Sequence, residues 1–224
     1  MAVVLITGTS KGLGFELAQH YLRKDYIVIG ISRSESKITH PNYHHCAMDV
    51  ADEASTNGLA AFLDTLPISR IDILVNSAGY GGTGYHLSEI DPQEVTKQVN
   101  LHCVGALRIT QVAQRYLRDS KIVNVTSRLG SIKQNERGDF AECSFSYSYR
   151  IGKCAQNMLS LCMANDPELS GSIVISMNPG LLKTDSGASD ASHTAAEGAN
   201  AFASVVSGAT TSGVYHAFGD EAAY

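Results

Sequence analysis

Apolar residues run along this chain in short unbroken blocks, and amphipathic stretches separate them. The blocks lie at 3–7, 27–32, 44–48, 71–76, 121–126, 172–177 and 214–218. Most are continuous Val/Ile/Leu runs rather than alternating ones, which is the pattern of strands buried on both faces. The stretches between them carry the 3.6-residue helical period. Leu59, Phe62, Leu63 and Leu66 share one helical face, as do Ile151, Ala155, Met158, Leu159 and Cys162. Asp91-Pro92 followed by Glu94 marks a helix start, with Asp91 as cap and proline at the first position. Thr194 with Glu197 repeats the device before the last helix.

Strand–helix alternation with right-handed crossovers predicts an α/β chain. The expected architecture is one Rossmann-type domain over residues 1–224, a doubly wound parallel seven-stranded sheet flanked by helices. No repeat, linker or low-complexity tract interrupts it. The least regular stretches are 128–146 and 183–193, and long loops in a compact domain are often functional.

Composition narrows the partners. The 224 residues are 44% hydrophobic and 17% charged, with a net charge of −5. No Lys/Arg block is present, so neither nucleic acid nor an anionic membrane is an expected partner. No apolar run approaches the roughly 20 residues of a membrane span. The apolar start is short and lacks a basic flank, so it reads as a first strand rather than a leader. A cytoplasmic protein is expected. The five cysteines are odd in number and scattered, with no Cys-x-x-Cys. Reduced thiols are expected rather than a disulfide framework or a zinc site.

The first candidate chemistry is Thr7-Gly8-Thr9-Ser10-Lys11-Gly12-Leu13-Gly14, which follows a strand and opens a helix. Glycines allow a tight turn and close approach to a pyrophosphate, while the helix N-terminus offers unpaired amides and the positive dipole end. This setting predicts a dinucleotide site over Gly8, Ser10, Lys11, Gly12, Leu13 and Gly14. NAD sites place an acid after the second strand. Here that strand ends Ile31-Ser32-Arg33. An arginine can hold a 2′-phosphate that a carboxylate would repel. Arg33, with Lys11 as a second charge, therefore favours NADP(H).

The second candidate lies at the carboxyl ends of later strands, where open α/β sheets bind ligands. Asn76-Ser77-Ala78-Gly79, Thr126-Ser127 and Asn178-Pro179-Gly180 stand there, and Tyr149-Arg150-Ile151-Gly152-Lys153 follows the fifth strand. The i, i+4 spacing puts Tyr149 and Lys153 on one helix face. Carbonyl reduction needs hydride at carbon and a proton at oxygen. A free tyrosine, with a pKa of about 10, is a slow acid at neutral pH, and a nearby ammonium lowers that value. Lys153 can do this while binding the nicotinamide ribose, and the Ser127 hydroxyl can orient the substrate oxygen.

These pieces occur together and in the order of the short-chain dehydrogenase/reductase family, which the whole chain resembles. The resemblance implies that Asn100 holds a water linking Lys153 to solvent. It places Asp49 and Val50 at the adenine, and Asn76, Ala78 and Gly79 on the adenosine side. Pro179, Gly180, Leu182 and Thr184 would then serve the carboxamide and pyrophosphate. A narrower resemblance to sniffer-like carbonyl reductases and bacterial C-factor signalling proteins rests on Thr126-Ser127-Arg128-Leu129-Gly130-Ser131, Tyr149-Arg150-Ile151, Asn157-Met158, Lys183-Thr184-Asp185 and the chain's end. The chain departs from the family at Ser77, where a second Asn is usual, and at Gly152, where Ser or Ala is usual. Its 127–149 segment is also longer.

Other readings compete at particular residues. His40, His44, His45 and Cys46 suggest a metal, but strand alternation sends His44 and His45 to opposite faces. No metal site is expected. His102 reads as a buried, hydrogen-bonded helix histidine rather than a base. Phe145, Tyr147 and Tyr80 or Tyr85 could line a substrate pocket or pack loops. The function expected is NADPH-dependent reduction of an aldehyde or ketone, with a small carbonyl or alcohol substrate. The alternative is a C-factor-like dinucleotide-binding regulator with little turnover. The resemblance implies a homodimer or homotetramer, although some carbonyl reductases are monomers.

Overall fold

The computed structural model describes residues 1–141, 146–184 and 191–219. Phe145, Cys143, Asp185 and the last five residues, all weighed in the sequence, lie outside that set. Seven strands form one sheet: β1 (Val3–Thr7), β2 (Ile27–Ser32), β3 (Tyr43–Ala47), β4 (Ile73–Asn76), β5 (Lys121–Val125), β6 (Ile173–Asn178) and β7 (Gly213–His216). Their order is β3-β2-β1-β4-β5-β6-β7. Every neighbouring pair is parallel. Each predicted strand is present, with ends displaced by up to two residues.

The helices are α1 (Gly12–Leu22), α2 (Leu59–Asp64), α3 (Pro92–Val99), α4 (Gly105–Ala113), α5 (Tyr147–Ala164) and α6 (Ala195–Gly208), besides shorter turns. Asp91 caps α3 through Gln93 N, with Pro92 in the first turn. Thr194 and Glu197 cap α6 reciprocally.

Alternation along each strand divides the core in two. Leu5, Ile29, Ile31, Leu74 and Ile122 join Leu59, Leu63, Ile109 and Met163 on one face. Val4, Ile6, Val28, Val75 and Ile175 join Leu17 and Phe202 on the other. Burial of each such side chain contributes about 1.5–3 kcal/mol, so both sheet faces are held by helices. No described helix is long and apolar enough to cross a membrane.

Two sequence expectations change. The stretch after Ser127 is less irregular than its composition suggests, because Ser131 caps a short helix, Ile132–Glu136. Most of the apolar period of α5 does not face inward, although Leu159 packs against the core. Ile151, Met158 and Leu161 are exposed, while Gly152, Lys153, Gln156, Asn157, Ser160 and Met163 point inward. Polar groups that need fixed partners occupy the inner side of this helix, so most of its apolar period marks the outer one.

Candidate functional site

Because all seven strands are parallel, their carboxyl ends meet at one edge of the sheet. β1 sits mid-sheet, and Thr7 at its end organises the neighbouring loop. The Thr7 hydroxyl accepts hydrogen bonds from the Ser77 and Ala78 amides, both at 2.9 Å. The turn that follows needs its glycines. Gly8 has φ +82° and Gly12 φ +63°, the left-handed region that glycine enters without strain. A Cβ on Gly8 would stand 3.0 Å from Ala78 Cα, and one on Gly14 would strike the Gly8 carbonyl.

This cradle fits a dinucleotide. Lys11 precedes α1 with no side-chain cap, and no acid stands in the first helical turn. The first-turn amides and the positive dipole end therefore face the turn without a competing carboxylate. Leu13 packs on the α1/α6 core, and Ser10 is half-buried in the turn. Thr184 also reaches the turn, its Cγ2 3.7 Å from where a Gly12 Cβ would lie. The Tyr43 hydroxyl from β3 lies 3.0 Å from Thr9 Oγ1.

Arg33 follows β2, with 71% of its side chain exposed, and its NH1 stands 3.8 Å from Asp49 Oδ2. Asp49 also accepts from the Ala51 amide at 2.9 Å, and Val50 beside it is buried. Asn76 turns inward. Its Nδ2 donates to Asn124 Oδ1 at 2.9 Å, stitching β4 to β5 and leaving Ala78 and Gly79 as the open part of that loop. Leu182 also faces inward, packed on Gly198 of α6. Gly180 has φ +82°, and its amide donates to Asn178 Oδ1. Pro179 precedes it at the end of β6.

The second half of the site gathers on β5 and α5. Ser127 leaves β5, and its Oγ accepts from the Leu129 amide at 3.2 Å. Ser146 caps α5 through the Tyr149 amide, so Tyr149 stands in the first turn at the same edge. Lys153, one turn later, is 5% exposed. Its ammonium lies 5.7 Å from the Tyr149 ring centroid. It donates to the Val125 carbonyl at 2.7 Å and to Gln156 Oε1 at 2.9 Å. Burial disfavours its charged form and pulls its pKa down to about 7. An amine poised there gives and takes protons readily at neutral pH.

Asn100 begins a π-helical turn, Asn100–Val104, that joins α3 to α4. Its Nδ2 donates to the Ala51 carbonyl at 2.7 Å, and its Oδ1 accepts from Arg108 at 2.9 Å. The nitrogen end thus holds the 49–51 segment directly, and the oxygen end does so through Arg108, which donates to the Val50 carbonyl at 3.4 Å. The polar partner beside Lys153 is Gln156, absent from the sequence reading although its i, i+3 spacing to Lys153 was visible. His102 is buried and hydrogen-bonded as expected. His45 is engaged with Ser32 Oγ at 2.9 Å.

Residues 2–195 match the family described as short chain dehydrogenase. Among curated proteins, the C-signal of Myxococcus xanthus is 29% identical over 153 residues, covering 67% of this chain and 89% of that protein. Among solved structures, the carbonyl reductase Sniffer of D. melanogaster superposes with a TM-score of 0.89 at 21% identity. An NADPH-bound carbonyl reductase from chicken fatty liver does so at 0.87 and 24%. Both alignments cover 100% of each chain. At these identities the two structures establish the fold.

Proposed function

The chain belongs to the short-chain dehydrogenase family of oxidoreductases, and from that premise we propose that it reduces the carbonyl of an aldehyde or ketone with NADPH. The observation that carries this reading is Lys153, an amine buried 5.7 Å from the Tyr149 ring on the strand edge that also bears the glycine turn. A protein that only held a dinucleotide would have no need of a phenol and a buried amine set together there. The relatives supply further support: one neighbour is a carbonyl reductase carrying NADPH.

NADPH would lie along the Gly8, Ser10, Lys11, Gly12, Leu13 and Gly14 turn, with Arg33 at its 2′-phosphate. Asp49 and Val50 would flank the adenine, the Ala78-Gly79 backbone the adenosine side, and Gly180 and Thr184 the far half. Asn76, Pro179 and Leu182 support those segments from within. Bound there, the cofactor supplies the hydride to the carbonyl carbon. The Ser127 hydroxyl holds the carbonyl oxygen, and Tyr149 gives it the phenolic proton. Lys153 stabilises the phenolate as it forms and returns a proton to it. Asn100 fixes the 49–51 segment, and Gln156 and the Val125 carbonyl orient the Lys153 amine.

The likeness to C-signal favours a second reading, a dinucleotide-binding regulator with little turnover. One experiment separates the two. NADPH and NADH oxidation is followed across aldehydes, ketones and quinones, for the native chain and for Tyr149→Phe. The reductase reading expects NADPH-preferring turnover that falls about 10²–10⁴-fold in the variant, with NADPH binding retained. Full activity in Tyr149→Phe refutes the assignment of the acid. Tight NADPH binding with no turnover on any carbonyl favours the regulator.

A further inference from the structure

His102 lies in the π-helical turn, 1% exposed, and its ring occupies space that two glycines leave open. A Cβ on Gly79, in the cofactor-side loop after β4, would stand 2.5 Å from His102 Cε1. A Cβ on Gly152, one residue before Lys153, would stand 3.2 Å from His102 Cδ2 and 2.9 Å from the Gln98 carbonyl. The imidazole therefore separates the loop that would hold cofactor from the helix that carries Tyr149. The departure at Gly152 has its cause here: a larger residue would press on this ring and on the Gln98 backbone.

The ring is oriented as well as enclosed. Its Nε2 lies 2.9 Å from Gln98 Oε1 and 3.3 Å from the Tyr80 carbonyl. Both are acceptors, so the proton is assigned to Nε2. Gln98 is held in turn by Glu94, to which its Nε2 donates at 3.0 Å. His102 also meets Tyr149 edge to face, with ring centroids 5.4 Å apart and planes at 87°, a preferred geometry for aromatic pairs.

We propose that His102 is a positioning residue for Tyr149, a spacer that sets the first turn of α5 at a fixed separation from the Gly79 loop. The inference rests on the reductase reading for its kinetic consequence but not for its packing. The Glu94–Gln98–His102 chain anchors the ring from the α3 side, and Gly79 and Gly152 receive it from the other two. Burial, and then the Lys153 charge, hold the imidazole neutral, so it stands beside that amine without repulsion.

Two arms test this. The first measures thermal midpoints of Gly79→Ala, His102→Ala and the double variant. A methyl at 79 should lower the midpoint in the native background and be tolerated once the imidazole is gone. The double variant should therefore melt no lower than His102→Ala alone, whereas additive losses overturn the spacer. The second arm compares His102→Gln, which keeps a donor near Nε2, with His102→Leu, which does not. On the carbonyl compound turned over fastest, Leu should lower kcat about tenfold or more at unchanged NADPH Kd, and Gln should restore most of it. A Leu variant with native kcat, or equal losses in Gln and Leu, overturns the positioning role. A native chain without turnover refutes the reductase reading instead, and the melting arm still decides the spacer.

Discussion

Arg33 stands 3.8 Å from Asp49, so the cation proposed for a 2′-phosphate already has a carboxylate beside it. The pair joins the ends of β2 and β3, whose register sets Ser32 against Ala47. Arg33 is well exposed and Asp49 partly so, and a solvent-exposed ion pair adds at most about 1 kcal/mol. Asp49 steadies Arg33 without consuming it. Arg33→Ala is expected to raise the NADPH Kd about tenfold, about 1.4 kcal/mol, while leaving NADH unchanged. Fluorescence titration of both cofactors measures this, and an equal loss for the two would remove Arg33 from the 2′-phosphate.

Lys153 gives stability a pH dependence. Its native pKa is about 7, against about 10.4 in an unfolded chain. Between those values the native state binds fewer protons than the unfolded one, so this residue makes stability rise with pH across the window. The Cys46 and Cys103 thiols, pushed up by burial, act in the opposite sense above pH 8. The difference between the native chain and Lys153→Met isolates the amine. Urea midpoints from pH 6 to 10 should show the variant gaining most below pH 7 and its advantage shrinking as pH rises. A pH-independent difference would place the amine in a wetter setting than its burial indicates.

Gly14 has no room for a side chain, since its Cβ would strike the Gly8 carbonyl. Gly14→Ala is expected to destabilise the chain by about 1–3 kcal/mol, as overpacking does. Because the displaced carbonyl belongs to the turn proposed to hold the cofactor, NADPH affinity should fall with it. Urea unfolding and cofactor titration on one preparation report both effects.

Phe202 of α6 is fully buried in the core that this helix shares with α1. Phe202→Ala is expected to cost about 3–5 kcal/mol and to lower the thermal midpoint with little change in substrate KM. A KM shift matching the stability loss would reveal coupling between that core and the site.

Much of this molecule was legible in its residue pattern. Continuous runs such as Val3-Val4-Leu5-Ile6 have the pattern of strands covered on both faces, and the glycine turn and the Tyr149/Lys153 spacing implied one shared edge. What escaped depended on side-chain direction. The Asn76 amide is held by Asn124, a partner visible only once β4 and β5 are paired. Met158 and Ile151 mark one helical stripe, and hydrophobicity alone does not say which stripe faces in. Gly152 was conspicuous as a departure, but its cause lies in a carbonyl and an imidazole from other segments.

The position of β1 carries a consequence for the chain as it is made. This first strand sits mid-sheet, and one of its two edges waits for Ile73 and its neighbours, paired with Val4 in the finished fold. Until Ile73 has left the ribosome, an apolar strand with an open edge has only β2 and β3 for company. Nascent chains halted before Ile73 should therefore be sticky, protease-sensitive and dependent on chaperones, and release should come with β4.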